Sequence, residues 1–136
     1  METILLENDI TVLYVQATSF PEGVQDAYHR LNDIVPDMSD RKIFGLSRPE
    51  NNGGIAYLAA VDEKESNESE KLHIPTLTIK KGRYRCITIA DFMQHIPDIQ
   101  KAFQVLLAHH DHDTDGYCVE WYVNEKDVCC MVRINE

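Results

Sequence analysis

One stretch of eight residues occurs twice in this chain. Val24-Gln25-Asp26-Ala27-Tyr28-His29-Arg30-Leu31 lines up with Ile99-Gln100-Lys101-Ala102-Phe103-Gln104-Val105-Leu106. Gln, Ala and Leu are identical, and Val/Ile and Tyr/Phe are conservative. Each stretch sits inside a helical pattern. Val24, Ala27, Tyr28, Leu31 and Ile34 share one helix face, as do Ile96, Ile99, Ala102, Phe103 and Leu106. The first helix starts at a capping-box spacing, Ser19 to Glu22, with Pro21 in its first turn, and Pro36 ends it. Pro97 opens the second.

The surroundings of the two helices repeat as well. Ile4-Leu6 and Ile10–Ala17 read as a hairpin before the first helix; Lys42–Ser47 and Ile55–Val61, joined by the turn 48–54, follow it. Thr76–Ile79 and Tyr84–Ala90, with a turn at Lys80-Lys81-Gly82, read as a strand pair before the second helix. Tyr117–Asn124 and Val128–Ile134 follow it. Between the copies, residues 62–71 hold no apolar side chain and read as a solvated connector. A strand–strand–helix–strand–strand unit cannot bury both faces of its sheet alone. The expected fold is therefore α+β: a duplicated unit with pseudo-twofold symmetry, antiparallel sheets, helices on the outer face and a central groove. The boundaries are 1–61, connector 62–71 and 72–136, within one domain spanning the 136 residues.

One side chain resists its surroundings. Tyr117-Cys118-Val119-Glu120-Trp121-Tyr122-Val123-Asn124 is rich in β-branched and aromatic residues, yet carries Glu120 in its middle. Alternation places Cys118, Glu120 and Tyr122 on one face and Val119, Trp121 and Val123 on the other. A carboxylate buried without a partner is costly. Either Glu120 stands at an edge in water, or it waits for something positive. The repeat register sets Gly45 against Glu120 and Ser47 against Tyr122.

Charge narrows the partners. Twenty-three acids face 13 Lys and Arg, for a net charge of −10. The densest basic stretch, Lys80–Arg85, reads as a turn into a strand, so direct nucleic-acid binding is not expected. An acidic protein attracts cations. No apolar run reaches the roughly 20 residues that span a bilayer, and the N-terminus lacks a secretion signal. A cytoplasmic location without membrane association is expected. Cys86, Cys118, Cys129 and Cys130 form no C-x-x-C pair and read as reduced core thiols. The run 109–116 has the acids of half a calcium loop, but its twelfth position would be Tyr122 and a strand follows. It reads as a polar helix-to-strand loop. No metal and no cofactor are expected. No serine sits on an elbow-like turn, and Asn51–Gly54 lacks the lysine of a phosphate loop.

With the duplication in hand, the chain resembles the GyrI-like family, which includes the effector-binding domain of many bacterial transcription activators. Lys81-Gly82-Arg83-Tyr84 leading into a strand, the helix ending near Leu107 and the pair Glu120-x-Tyr122 carry the resemblance, which covers nearly the whole chain. It implies a central pocket for bulky, cationic and aromatic molecules, with Glu120 answering the positive charge and Tyr122 beside it. Gly45 would leave the facing wall open, and Tyr14, Phe44, Tyr57 and Tyr122 are the wall candidates. Trp121 faces away. The chain has no residues for a helix-turn-helix, so a regulatory role would need a protein partner. Two alternatives stay open: a hydrolase of strained cyclopropane-type metabolites, with Glu120 as general base and a tyrosine as donor, and a protein-interaction module such as a gyrase inhibitor.

Overall fold

The computed structural model describes residues 1–135. The strands are β1 (Glu2–Leu6), β2 (Ile10–Gln16), β3 (Ile43–Pro49), β4 (Ile55–Asp62), β5 (Thr76–Ile79), β6 (Gly82–Ile89), β7 (Cys118–Tyr122) and β8 (Val128–Arg133). The helices are α1 (Val24–Ile34), α2 (Glu68–Leu72) and α3 (Ile96–Leu107). All strand pairings are antiparallel, and one sheet runs β1-β6-β8-β7-β3-β4-β2-β5. Exchanging β1 with β5, β2 with β6, β3 with β7 and β4 with β8 turns this order into its own reverse. The pseudo-twofold axis therefore crosses the β3–β7 ladder, where Gly45 pairs with Glu120.

The two expected hairpins do not form. β1 pairs with β6, and β5 pairs with β2. Each copy's first strand crosses to the other copy's edge, where it covers donors and acceptors that would otherwise be bare. This crossing dictates the shape. β1 and β2 stand six strand spacings apart, about 29 Å in a flat sheet, yet residues 7–9 alone join them, a link reaching roughly 14 Å at full extension. Residues 80–81 join β5 to β6 under the same constraint. The sheet must curl until its edges approach, giving a half-barrel. The two links meet, with the Lys81 amide donating to Asp9 Oδ1 at 2.8 Å.

The inner face of the curl holds Val12, Phe44, Leu46, Leu58, Ala60, Ile79, Tyr84, Cys86, Val119, Cys129 and Met131, a cluster joined by Ile4, Leu6 and Leu77 from the edges. The helices lie on the other face. α1 seats Ala27 and Leu31 against Leu13, Val15, Ala59 and Val61, and α3 seats Ala102, Phe103 and Leu106 against Val128, Cys130 and Val132. Each fully buried Leu contributes roughly 1.5–3 kcal/mol. The expected capping box is absent: Gly23 is the N-cap of α1 without a side-chain bond, and Pro21 precedes the helix. Instead the Ser19 carbonyl accepts from the Gly23 amide at 3.2 Å.

The connector is more structured than its composition suggests. It carries α2, and Glu68 is only 8% exposed. Its carboxylate takes both guanidinium ends of Arg41, at 3.0 and 2.5 Å, and the amides of Lys64 and Glu65. The four cysteines are free. Burial pushes the Cys118 thiol up to about 11 and Cys129 to about 12, so neither is a ready nucleophile.

Candidate functional site

β7 positions Glu120 by the alternation its sequence dictates. Cys118 and Tyr122 pack with the helix-side cluster, while Val119 and Trp121 pack inside the curl. Glu120 lies in the strip of sheet between α1 and α3 and is 7% exposed. The carboxylate is not at a solvated edge.

Two phenols hold it. Tyr57, on β4, donates to Oε1 at 2.9 Å, and Tyr122, two residues along β7, donates to the same oxygen at 2.5 Å. Tyr57 reaches Glu120 by passing over Gly45. A Cβ built at Gly45 would overlap the Tyr57 hydroxyl and lie 2.8 Å from its ring carbon and 2.9 Å from Glu120 Oε1. Gly45 thus admits the tyrosine rather than leaving a wall open. Tyr28, from α1, completes the cluster, with its hydroxyl 2.9 Å from the Tyr57 hydroxyl and 2.9 Å from the Phe44 carbonyl. Each phenol has one proton. Those of Tyr57 and Tyr122 go to Oε1, leaving Tyr28 to donate to the Phe44 carbonyl or to the Tyr57 oxygen.

Oε2 accepts from no donor among the described residues, and no ion pair among them includes Glu120. It is not sealed from water either, since among the described residues no fully buried side-chain oxygen is left without a partner. Desolvation raises the Glu120 pKa, and the hydrogen bonds from Tyr122 and Tyr57 offset part of that rise. Desolvation first also raises Tyr28, Tyr57 and Tyr122, with the Glu120 charge second for Tyr28 and Tyr122 and, for Tyr57, the adjoining Tyr28 ahead of Glu120. All three phenols therefore stay protonated and able to donate at neutral pH.

Five rings form a continuous chain around the acid. Phe20 stacks on Tyr57 at 5.7 Å, Tyr57 meets Tyr28 edge-on at 6.2 Å, Tyr28 meets Tyr122 at 6.3 Å, and Phe92 meets Tyr122 at 5.1 Å. Phe20 and Phe92 come from the strand-to-helix connections of the two halves. Phe20 is 40% exposed and forms the outer end of the chain.

The structure brings together four of the six residues singled out in the sequence: Glu120, Tyr122, Tyr57 and Gly45. Phe44 and Tyr14 lie inside the curl, on the opposite face. Phe44 stacks on Trp121 at 6.2 Å, and only its carbonyl reaches the site. Tyr28, Phe20 and Phe92 were missed. A signal for Tyr28 was present, since it is the polar-tipped member of the repeated Tyr/Phe pair. The hydroxyls of Tyr28, Tyr57 and Tyr122 cluster on the Oε1 side of Glu120. Two cavities lie elsewhere: about 270 Å3 inside the mouth of the curl and about 490 Å3 beside Arg41 and Glu68.

The acidic loop after α3 is engaged by cations. Asp111 pairs with Arg85 at 2.6 and 2.8 Å, and Asp113 meets Arg133 at 3.5 Å. Among the described residues no three His, Cys, Asp or Glu converge as metal ligands would. Among the described residues no helix is long and apolar enough to cross a membrane.

No protein-family profile matches the chain, and no curated protein sequence does. Solved structures share its architecture. An integron cassette protein from the mobile metagenome of Vibrio cholerae superposes with a TM-score of 0.72 at 13% identity, covering 98% of this chain and 95% of that one. A protein solved with tetraphenylphosphonium bound gives 0.61 at 16% identity, covering 98% and 94%. A protein described as a bacterial transcription regulator from Staphylococcus aureus gives 0.56 at 14%, covering 97% of each chain. At these identities the likeness establishes a shared fold: a curled antiparallel sheet with helices packed upon it.

Proposed function

We propose that this chain is a cytoplasmic small-molecule-binding module of the GyrI-like type. Its ligand is a bulky aromatic cation held against Glu120. One observation carries the reading: a carboxylate buried among aromatic rings, with one oxygen fixed by two phenols, the other unpaired, and no cation from the described residues beside it. A lipophilic cation suits that setting. At 4 Å and an effective dielectric near 20, its attraction to Glu120 is about 4 kcal/mol. Ring faces add about 0.5–2 kcal/mol per good contact. Entry requires Tyr28 and Phe20 to give way, which costs about 0.5–1.5 kcal/mol for each ring pair opened. A fold neighbour that binds tetraphenylphosphonium and another described as a transcription regulator support this class of ligand and a regulatory setting. We read residues 1–61 and 72–136 as copies of one ancestral unit, only one of which has an acid at the axis position.

The test is calorimetric titration with tetraphenylphosphonium, using wild type and Glu120→Gln. We expect saturable binding by wild type and at least tenfold weaker binding by the variant. Triphenylphosphine oxide, neutral and of similar girth, should not discriminate between them. Wild-type affinity for the cation should fall as the pH drops through the raised Glu120 pKa. Equal affinity of the two proteins for the cation would overturn the reading.

A further inference from the structure

We propose a second ligand site, inside the mouth of the curled sheet and on the opposite face from Glu120, that takes a small aromatic carboxylate. It stands independently of the Glu120 reading. Its origin lies in broken symmetry. Exchange about the Gly45–Glu120 pair carries residue 44 to 119 and residue 121 to 46. The ladder pair Phe44–Trp121 therefore answers the pair Val119–Leu46. On one side of the axis two large rings, stacked at 6.2 Å, fill the interior. On the other side two smaller aliphatic chains stand in the same place, and a cavity of about 270 Å3 opens over them. That size lies close to the lower end of small-molecule pockets, about 300–1,000 Å3.

The lining states the chemistry. Leu46 and Val119 lie beneath, with Leu77, Ile79, Tyr84 and Tyr117 also facing the space. These suit a flat apolar body. Arg48, Lys80 and Arg133 reach the rim, against Asp113 and Asp115. Three cations facing two acids make a locally positive mouth on a chain of net charge −10. Arg133 already contacts Asp113 and the Lys81 carbonyl. Arg48 lies 4.6 Å from the Tyr117 ring centroid, and among the described residues no carboxylate pairs with it. A guanidinium positioned on a ring and lacking an acid presents its fork to a carboxylate. A ligand with its ring over Leu46 and its carboxylate at Arg48 satisfies both.

The experiment is titration of the full chain with 2-naphthoate, followed by calorimetry and by methyl chemical shifts. Wild type should bind one equivalent saturably, with shifts concentrated at Leu46, Leu77, Ile79 and Val119. Arg48→Gln, an exposed change, should weaken 2-naphthoate at least fivefold while leaving tetraphenylphosphonium binding unaltered. The neutral 2-naphthalenemethanol should bind both proteins equally weakly. Leu46→Trp, which copies the filled side, should abolish naphthoate binding. If that variant fails to fold, the wild-type methyl map and Arg48→Gln still decide the matter. The proposal is overturned by no saturable binding at millimolar naphthoate, by shifts located away from this cavity, or by Arg48→Gln binding as wild type does.

Discussion

Glu68 and Glu120 are buried to the same degree, at 8% and 7% exposure, and their surroundings are opposite. Glu68 meets a bidentate arginine and two backbone amides, all from its own chain. Hydrogen bonding by Arg41 outweighs desolvation and holds its carboxyl at about 2, below the ordinary value. Among the described residues Glu120 has only two neutral phenols, both on one oxygen, and desolvation wins, raising its pKa. One acid has every donor it needs and serves the fold, pinning α2 and the connector to the start of β3. The other has a raised pKa, so its charge weakens the fold at neutral pH, and the proposed cation would supply the positive charge it lacks. A buried acid is read by its complement of donors, not by its burial.

The contrast can be broken most forcefully at Arg41. Arg41→Met strands the buried Glu68 carboxylate and should cost about 3–5 kcal/mol, measured by urea denaturation at pH 7. The loss should shrink in acid. With its folded pKa lowered, Glu68 contributes fully above the ordinary carboxylate value, and that contribution disappears as pH falls toward 2. An unchanged denaturation midpoint at pH 7 would show the pair to be structurally idle.

Tyr57→Phe removes a donor to Glu120 and a neighbour of Tyr28. It should cost about 1–3 kcal/mol and raise the Glu120 pKa further, so the pH midpoint of cation binding moves upward. A midpoint that stays put would mean that Tyr57 does not hold the carboxylate.

Glu120→Gln has the smallest expected effect on stability, and it has the opposite sign. A raised folded pKa means stability present below the ordinary carboxylate value and lost as pH rises through the raised one. Removing the charge should stabilise the protein at pH 7 by on the order of 1 kcal/mol and flatten that part of the pH profile. Destabilisation of the same size as Arg41→Met would erase the distinction between the two acids.

Much of this contrast was legible in the residues. The repeat predicted the equivalence of Gly45 and Glu120, and the ladder pairs those two residues directly. Strand alternation separated Tyr122 from Trp121 correctly. The same alternation, applied to β3, separates Phe44 from Gly45 and so assigns Phe44 to the far face, where it lies. Tyr14 likewise sits between Leu13 and Val15, whose side chains meet α1. The connector misled because its composition is polar throughout. Glu68 is buried by Arg41, 27 positions away in sequence, and no local pattern encodes that meeting. The expected hairpins failed for a related reason. Short links favour neighbouring strands in a flat sheet, but here the curl brings distant edges together, and the same short links serve a crossed pairing.

The sequence by itself determined the periodicities: which side chains share a face, where helices and strands run, and that two like halves must pack together. These follow from backbone geometry, which acts over a few residues. Only the tertiary structure decided which donors reach each buried acid and which end of the curl stays open. Those outcomes depend on groups far apart in the chain arriving within about 3 Å of one another, a condition that local pattern does not fix.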